Sequence, residues 1–152
     1  MGMVRELFLR AGTGLGGSRV EESVQAEELE GSRYRLVQSP GLVLGLAADD
    51  EFELHDDGTF EVTRRGGNLC IQIFFLKGAA ALEPDASRLL EPLGGRLDGK
   101  TKQALVYTVP VAVGFPVVER ALGELTLQFP WMEWYYGNVH DPVDGVTPLN
   151  WW

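Results

Sequence analysis

The residues whose spacing most resembles known chemistry are Gly94-Gly95-Arg96-Leu97-Asp98-Gly99-Lys100-Thr101, which match the phosphate-loop pattern G-x-x-x-x-G-K-[ST] letter for letter. Such a loop works by joining a buried strand to a helix, so that backbone N–H groups, a lysine and a hydroxyl surround phosphates and Mg²⁺. Here the hydrophobic pattern puts a helix before the loop and a strand after it, and Asp98 places a negative charge inside. The stretch reads as a helix-to-strand turn. Gly12, Gly14 and Gly17 match a second phosphate pattern, G-x-G-x-x-G, after a candidate strand. The segment that follows is too poor in apolar residues for a sheet-covering helix, and the next strand, near residues 33–38, lacks the terminal acidic residue that would hold a ribose. These glycines read as a loop.

Acid–base, nucleophilic and metal chemistry find little more. His55 and His140 are each followed by Asp, a pairing that would serve a mixed His/carboxylate metal site if folding joined them. Their spacing carries no metal signature, so both read as solvated turns. Cys70 lies mid-strand in an apolar run, as a small buried hydrophobe does. There is no G-x-S-x-G element, and the carboxylate pairs Asp49-Asp50 and Glu27-Glu28 lie beside turns. No catalytic residue, cofactor or metal ligand is assigned.

The unusual composition lies at the end, where all four tryptophans fall. Trp131, Trp134, Tyr136, Asn138, His140, Asp141, Trp151 and Trp152 form a candidate ligand or partner surface, because Trp and Tyr bury large areas while keeping a polar handle. The plainer reading is that the tail folds back to fill the core, or reaches into a second copy of the chain, since a terminal segment needs anchoring to be ordered. Trp131 and Trp134 fall on opposite faces of an ideal strand, so a bulge or turn is needed to point both inward.

The elements that must position these groups centre on residues 51–77. Residues 51–54 and 59–64 alternate polar and apolar, with Asp57-Gly58 as a hairpin turn. After Gly66-Gly67, residues 69–76 are almost wholly apolar, as in a central strand covered on both faces. Before this meander, residues 4–10 form a first strand, and residues 23–29 and 34–37 pair around Gly31-Ser32. Ser39-Pro40-Gly41 breaks the chain, and residues 42–48 form an apolar connection. After it come a short helix over 83–91 with Pro84 at its first position and Pro92 ending it, a strand at 103–110, and a helix over 114–125. A last strand at 126–136 has Pro130 at a bulge or edge. The fold class is α+β: a β-rich N-terminal half, barrel-like or a curled antiparallel sheet, continuing into a sheet covered by two helices. The chain, residues 1–152, suits one compact domain, with two lobes (1–67 and 68–136) and an aromatic tail (137–152) as the finer division.

Composition narrows the class of partner. The formal charge of −9 over 152 residues disfavours a nucleic-acid backbone or an anionic membrane surface, both of which need a basic patch. One cysteine permits no internal disulfide and fits the cytoplasm. No stretch has the length of a membrane span or the h-region of a signal peptide.

Glu30-Gly31-Ser32-Arg33-Tyr34-Arg35-Leu36, then Ser39-Pro40, Gly45-Leu46-Ala47, Asp49, Phe52-Glu53 and Arg65-Gly66-Gly67-Asn68, resemble a bacterial family of uncharacterised domains of unknown function. That family carries the run Gly, Tyr-Arg-Leu, Pro, Gly-Leu-Ala, Asp and a strand. The likeness covers roughly residues 22–125, and its motifs are short. The chain departs from it at Gly66-Gly67-Asn68, which replaces a Gly-His-Ser-like turn, and the aromatic tail lies outside it. The resemblance supports the fold reading and adds no catalytic residue. The functional expectation is a small cytoplasmic non-enzymatic protein that binds another protein, in an immunity-type or regulatory role, with a homodimer through the tail as a lesser form. The competing expectation is a small-ligand binder or enzyme, with the aromatic C-terminal segment as pocket wall.

Overall fold

The structure, a computed structural model, describes residues 2–13, 19–76 and 79–152. Five strands, β1 (Val4–Thr13), β2 (Arg19–Glu28), β3 (Arg33–Leu36), β4 (Glu51–Leu54) and β5 (Phe60–Arg64), form one antiparallel sheet in sequence order. The remaining four are β6 (Asn68–Phe75), β7 (Arg96–Lys100), β8 (Ala104–Pro110) and β9 (Met132–Tyr136), which form a second antiparallel sheet in the order β7-β8-β6-β9. Two helices, α1 (Ala79–Leu90) and α2 (Phe115–Gln128), cover one face of the second sheet. The α+β class and the curled N-terminal sheet expected from the sequence are present. The curl brings β1 back to the β4–β5 turn, where Arg10 N donates to Gly58 O at 2.9 Å, without closing a barrel. Of the glycine pattern at 12, 14 and 17, Gly12 lies in β1, while Gly14 and Gly17 lie outside the described residues.

Alternation explains why β6 is apolar on both sides. Leu69, Ile71, Ile73 and Phe75 point to the helices, where Leu82, Ala86, Leu90, Val118, Leu122 and Leu125 meet them. These helix positions recur every three or four residues, the spacing of one helical face. Tyr107 of β8 is fully buried in this core and its hydroxyl hydrogen-bonds Ser87 of α1 at 2.7 Å, so the helix is registered by a polar contact as well as by packing. The five-stranded sheet has its own smaller core around Leu9, Val24, Ala26, Leu36 and Phe52, closed by Val43 and Leu46 from the loop 37–50.

The structure corrects several boundaries. The expected three-strand meander is split: β5 and β6 belong to different sheets. Arg65, Gly66 and Asn68 are tied to the loop 37–50 and turn the chain from one sheet to the other. Helix α1 begins a turn earlier than Pro84, so this proline lies inside the helix; the extra turn buries Leu82 completely. Residues 96–100, read as turn, form the edge strand β7. The last strand is shorter than expected because α2 runs on to Gln128, leaving Pro130 in the turn before β9.

Between the sheets lies the irregular loop 37–50, whose backbone polar groups need partners once buried. Glu22 of β2 supplies the largest share: its carboxylate accepts from the N–H groups of Gly41 (2.7 Å), Leu42 (2.8 Å) and Val43 (2.8 Å). Asp50 is fully buried and accepts from Ala47 N (3.0 Å), Gly66 N (2.8 Å) and Arg65 (3.1 Å). Burial pushes its carboxyl up, against the pull of these donors. Gly66 is required at this crossing, since a Cβ there would lie 2.5 Å from the carbonyl carbon of Asp49. Removing the Glu22 carboxylate strands three loop N–H groups, so Glu22→Ala is expected to cost about 2–3 kcal/mol. In a calorimetric scan this corresponds to a Tm lower by about 5–10 °C. Glu21→Ala, at its exposed neighbour, is expected to stay within about 0.5 kcal/mol of the parent.

Candidate functional site: a trough on the open face of the second sheet

The face of the second sheet away from the helices is built of cross-strand rows. Thr108 and Cys70 pair in one row, with Gly137 N donating to Cys70 O; Val106, Gln72 and Tyr135 form the next; Ala104, Phe74 and Glu133 form the last. The loop 37–50 covers the first row and part of the second. Pro40 O accepts from Gln72 Nε2 at 3.0 Å, and Ala47 packs on Cys70 and Val106. The last row stays open. Phe74 stacks on Tyr135 with centroids 5.2 Å apart, and Tyr135 is 46% exposed.

Over this uncovered end, β2 of the other sheet and the loop form a wall, leaving a cleft of about 510 Å³ between Ser23, Gln25, Gln38, Leu42, Phe74 and Ala104. Phe74 and Gln103 also line a second hollow of about 320 Å³, which continues over Trp131 and Glu133. The two hollows adjoin at Phe74 and Gln103, which line both, and are together termed the trough.

The charged groups along the larger hollow are engaged. Glu22 holds the loop. Lys100 Nζ pairs with Glu83 at 3.2 Å. Asp98 sits at the β-bulge between Leu97 and Gly99, which turns its side chain inward until 1% of it is exposed. There it accepts from Arg96 Nε (2.6 Å), Thr108 Oγ1 (2.6 Å) and Ser39 N (2.9 Å). Because the Thr108 proton goes to the carboxylate, the 2.6 Å contact between Ser39 Oγ and Thr108 Oγ1 has Ser39 as donor, while Ser39 Oγ accepts from Ala48 N at 3.0 Å. Residues Arg96–Lys100 of the phosphate-loop match are therefore an edge strand whose Asp98 holds the loop, with Thr101 beyond its end. Gly94 and Gly95 form the turn before it.

Cys70 is equally committed to structure. Its thiol faces Pro40 O, and burial pushes it up to about 12, far above the range of a nucleophilic thiol. His55 lies in the β4–β5 turn and His140 in a backbone bridge to Pro148. Among the described residues, no three His, Cys, Asp or Glu side chains gather as a metal site.

Of the aromatic set, Trp134 and Tyr136 lie on the helix-facing side of β9, their rings edge to face at 5.1 Å. Tyr136 meets Phe115 at 5.4 Å and donates from its hydroxyl to Glu119 at 3.1 Å; burial and that carboxylate push its phenol up. Phe115 links Tyr136 to Trp152 (5.1 Å), and Trp152 meets Trp151 (5.7 Å). Trp151 donates from its indole to Asn138 O at 2.8 Å and lies under the guanidinium of Arg65. Asn138 is fully buried, accepting from Cys70 N at 2.9 Å and donating to Asn68 O at 2.8 Å. Asp141 accepts from Val143 N within the terminal loop. Trp131 stands apart at the start of β9, against Phe75 and Phe129, where it borders the second hollow. The trough itself was not read from the sequence. Its signal is the alternation in β6, where Gln72 and Phe74 share a face in an otherwise apolar strand.

The close fit under the loop is testable at Gly137, where a Cβ would lie 2.8 Å from Cys70 Sγ and 3.2 Å from Gln72 Nε2. Gly137→Ala is expected to destabilise by about 1–3 kcal/mol. Adding Cys70→Ala should recover about 1 kcal/mol of coupling in denaturant melts; fully additive losses would show that the two sites do not touch.

A crystal structure described as that of a hypothetical protein from Neisseria gonorrhoeae superposes with a TM-score of 0.67 at 16% identity, covering 90% of this chain and 94% of that one. At that identity the likeness shows the fold. No curated protein matches the chain. A family model described as a domain of unknown function, DUF4265, matches residues 22–133. That span contains the loop 37–50 and most of the residues that hold it, and the chain belongs to the DUF4265 family.

Proposed function

We propose that this chain acts without catalysis of its own, by binding another protein and seating an extended segment of it in the trough. The observation that carries this reading is the pair of adjoining hollows that share Phe74 and Gln103 as lining, a combined span longer than a compact metabolite needs. The rim supports it: Ser23, Gln25, Gln38 and Gln103 are uncharged donors and acceptors of the kind that match main-chain amides. The floor of Phe74 and Ala104 takes apolar side chains. Ser39, Thr108, Asp98 and Cys70, the groups nearest to nucleophile or acid–base character, are spent on the loop. A regulatory or immunity-type role, in which the held segment is withdrawn from its own target, is the form this binding takes. The free, buried cysteine supports the cytoplasm as its place. No helix among the described residues is long and apolar enough to cross a membrane.

A second reading, a small neutral ligand in the larger hollow alone, is favoured by that hollow's volume, which lies within the range of ordinary ligand pockets. The two separate experimentally. Selection from a random nine-residue peptide display library is expected to yield binders that Phe74→Asp abolishes and Phe8→Asp, at an exposed phenylalanine on the other sheet, leaves intact. Binders indifferent to Phe74→Asp would remove the trough from the proposal. If no peptide is selected while a metabolite at a hundred times its Kd stabilises the fold by about 2.7 kcal/mol, the small-ligand reading takes its place.

A further inference from the structure

The two hollows differ chemically, and the difference points to the partner. In the larger one, apolar floor and neutral rim offer nothing to a charge, because Glu22, Asp98 and Lys100 are already paired. In the smaller one, Trp131 forms a wall, its ring held edge to face by Phe129 at 5.4 Å and Phe75 at 6.5 Å. Glu133 stands at its edge, exposed, with no hydrogen-bond or ion-pair partner among the described residues. An indole beside an uncommitted carboxylate is the pairing that attracts a side-chain cation, by the ring quadrupole and by charge together.

We infer that the trough reads a two-residue signature in an extended segment: an aliphatic residue over Ala104, and a lysine or arginine over Trp131 and Glu133. This rests on the peptide-binding reading and deepens it. The register fixes the spacing. Ala104, Phe74 and Glu133 are direct cross-strand neighbours, so the two subsites lie about 10 Å apart, two strand spacings. An extended chain advances about 3.3 Å per residue and turns alternate side chains to the same face, which sets the basic residue two positions from the aliphatic one, with the length of a lysine or arginine side chain covering the remaining distance. The net charge of −9 adds long-range attraction for a basic segment.

The test is the same nine-residue display library selected in parallel on the parent protein, on Glu133→Lys and on Trp131→Leu. Near-ultraviolet circular dichroism checks that each variant is folded. On the parent, Lys or Arg is expected two positions from an aliphatic residue, enriched about tenfold over chance, the scale of an ion pair and a cation–π contact combined. Glu133→Lys should reverse that preference toward Asp or Glu and keep the aliphatic one. Trp131→Leu should weaken the preference for Arg and Lys without inverting it. Selected peptides that carry no basic residue at that spacing, or that keep it on Glu133→Lys, overturn the two-subsite inference and leave peptide binding standing. If no peptide is selected on any arm, both readings fail together.

Discussion

The structure depends on burying an irregular segment between two sheets without leaving its backbone unsatisfied. A buried polar group without a partner costs about 1–3 kcal/mol, and the loop 37–50 brings many such groups inside. The fold meets this with side chains gathered from distant parts of the sequence. Glu22 reaches from β2, Arg65, Gly66 and Asn68 from the crossing between the sheets, Gln72 from β6, Asp98 from the bulge in β7, and Thr108 from β8. No buried side-chain nitrogen or oxygen among the described residues is left without a partner. The two sheets share few direct contacts, so the loop, with its ring of partners, is what gives them one relative placement.

The same arrangement decides where the protein is open. Each row of the second sheet that the loop covers needs a side chain to answer the loop: Thr108 answers Ser39, and Gln72 answers Pro40. Where those answering groups end, at Phe74 and Ala104, so does the cover. The C-terminal segment reinforces this boundary from the other side. Gly137 donates to Cys70 O, but its own carbonyl accepts from Gly45 N of the loop, and Asn138 Oδ1 takes the Cys70 N–H in its place. β9 thereby leaves the sheet at the point where the loop arrives, and Trp151, under Arg65, fastens the departing chain. The aromatics that dominate the end of the sequence thus serve two neighbourhoods, with Trp134, Tyr136, Trp151 and Trp152 around Phe115 and Arg65, and Trp131 and Tyr135 beside the trough, Tyr135 stacked on Phe74.

Much of this architecture was legible because it rests on local rules. The alternation of residues 51–54 and 60–64, the Asp57-Gly58 turn, the doubly buried β6 and the helical spacing of Val118, Leu122 and Leu125 each announce their element within a few residues. The runs Ser39-Pro40, Gly45-Leu46-Ala47, Asp49 and Arg65-Gly66-Gly67-Asn68 stood out as a pattern, yet their shared purpose, one buried loop and its fasteners, appears only in three dimensions. The split of the meander was hidden for the same reason: nothing between Arg64 and Asn68 says that β5 and β6 join different sheets, since that is decided by Asp50 holding Arg65 and Gly66. Strand β7 was hidden because one apolar residue, Leu97, among Arg96, Asp98 and Lys100 gives no period to read. The trough was hidden because an apolar strand has the same letters whether its second face is covered along its whole length or only along part of it.

That partial cover also bears on how an apolar floor stays available. Open apolar surface such as that of Phe74 and Ala104 on a free sheet would be closed by a neighbouring loop or by association, because burying it is favourable by about 25 cal/mol per Å². Here the neighbouring loop has no slack to close it. Its N–H groups are fixed to Glu22 on one side, and Ser39 is fixed to Asp98 on the other, while the helices hold the sheet from behind through Ile71, Ile73 and Tyr107. Moving the loop over Phe74 would break several buried hydrogen bonds to gain one apolar contact. The walls therefore stand in place without an occupant, so that under the proposed binding a segment would need to order only itself, which lowers the entropic cost of binding.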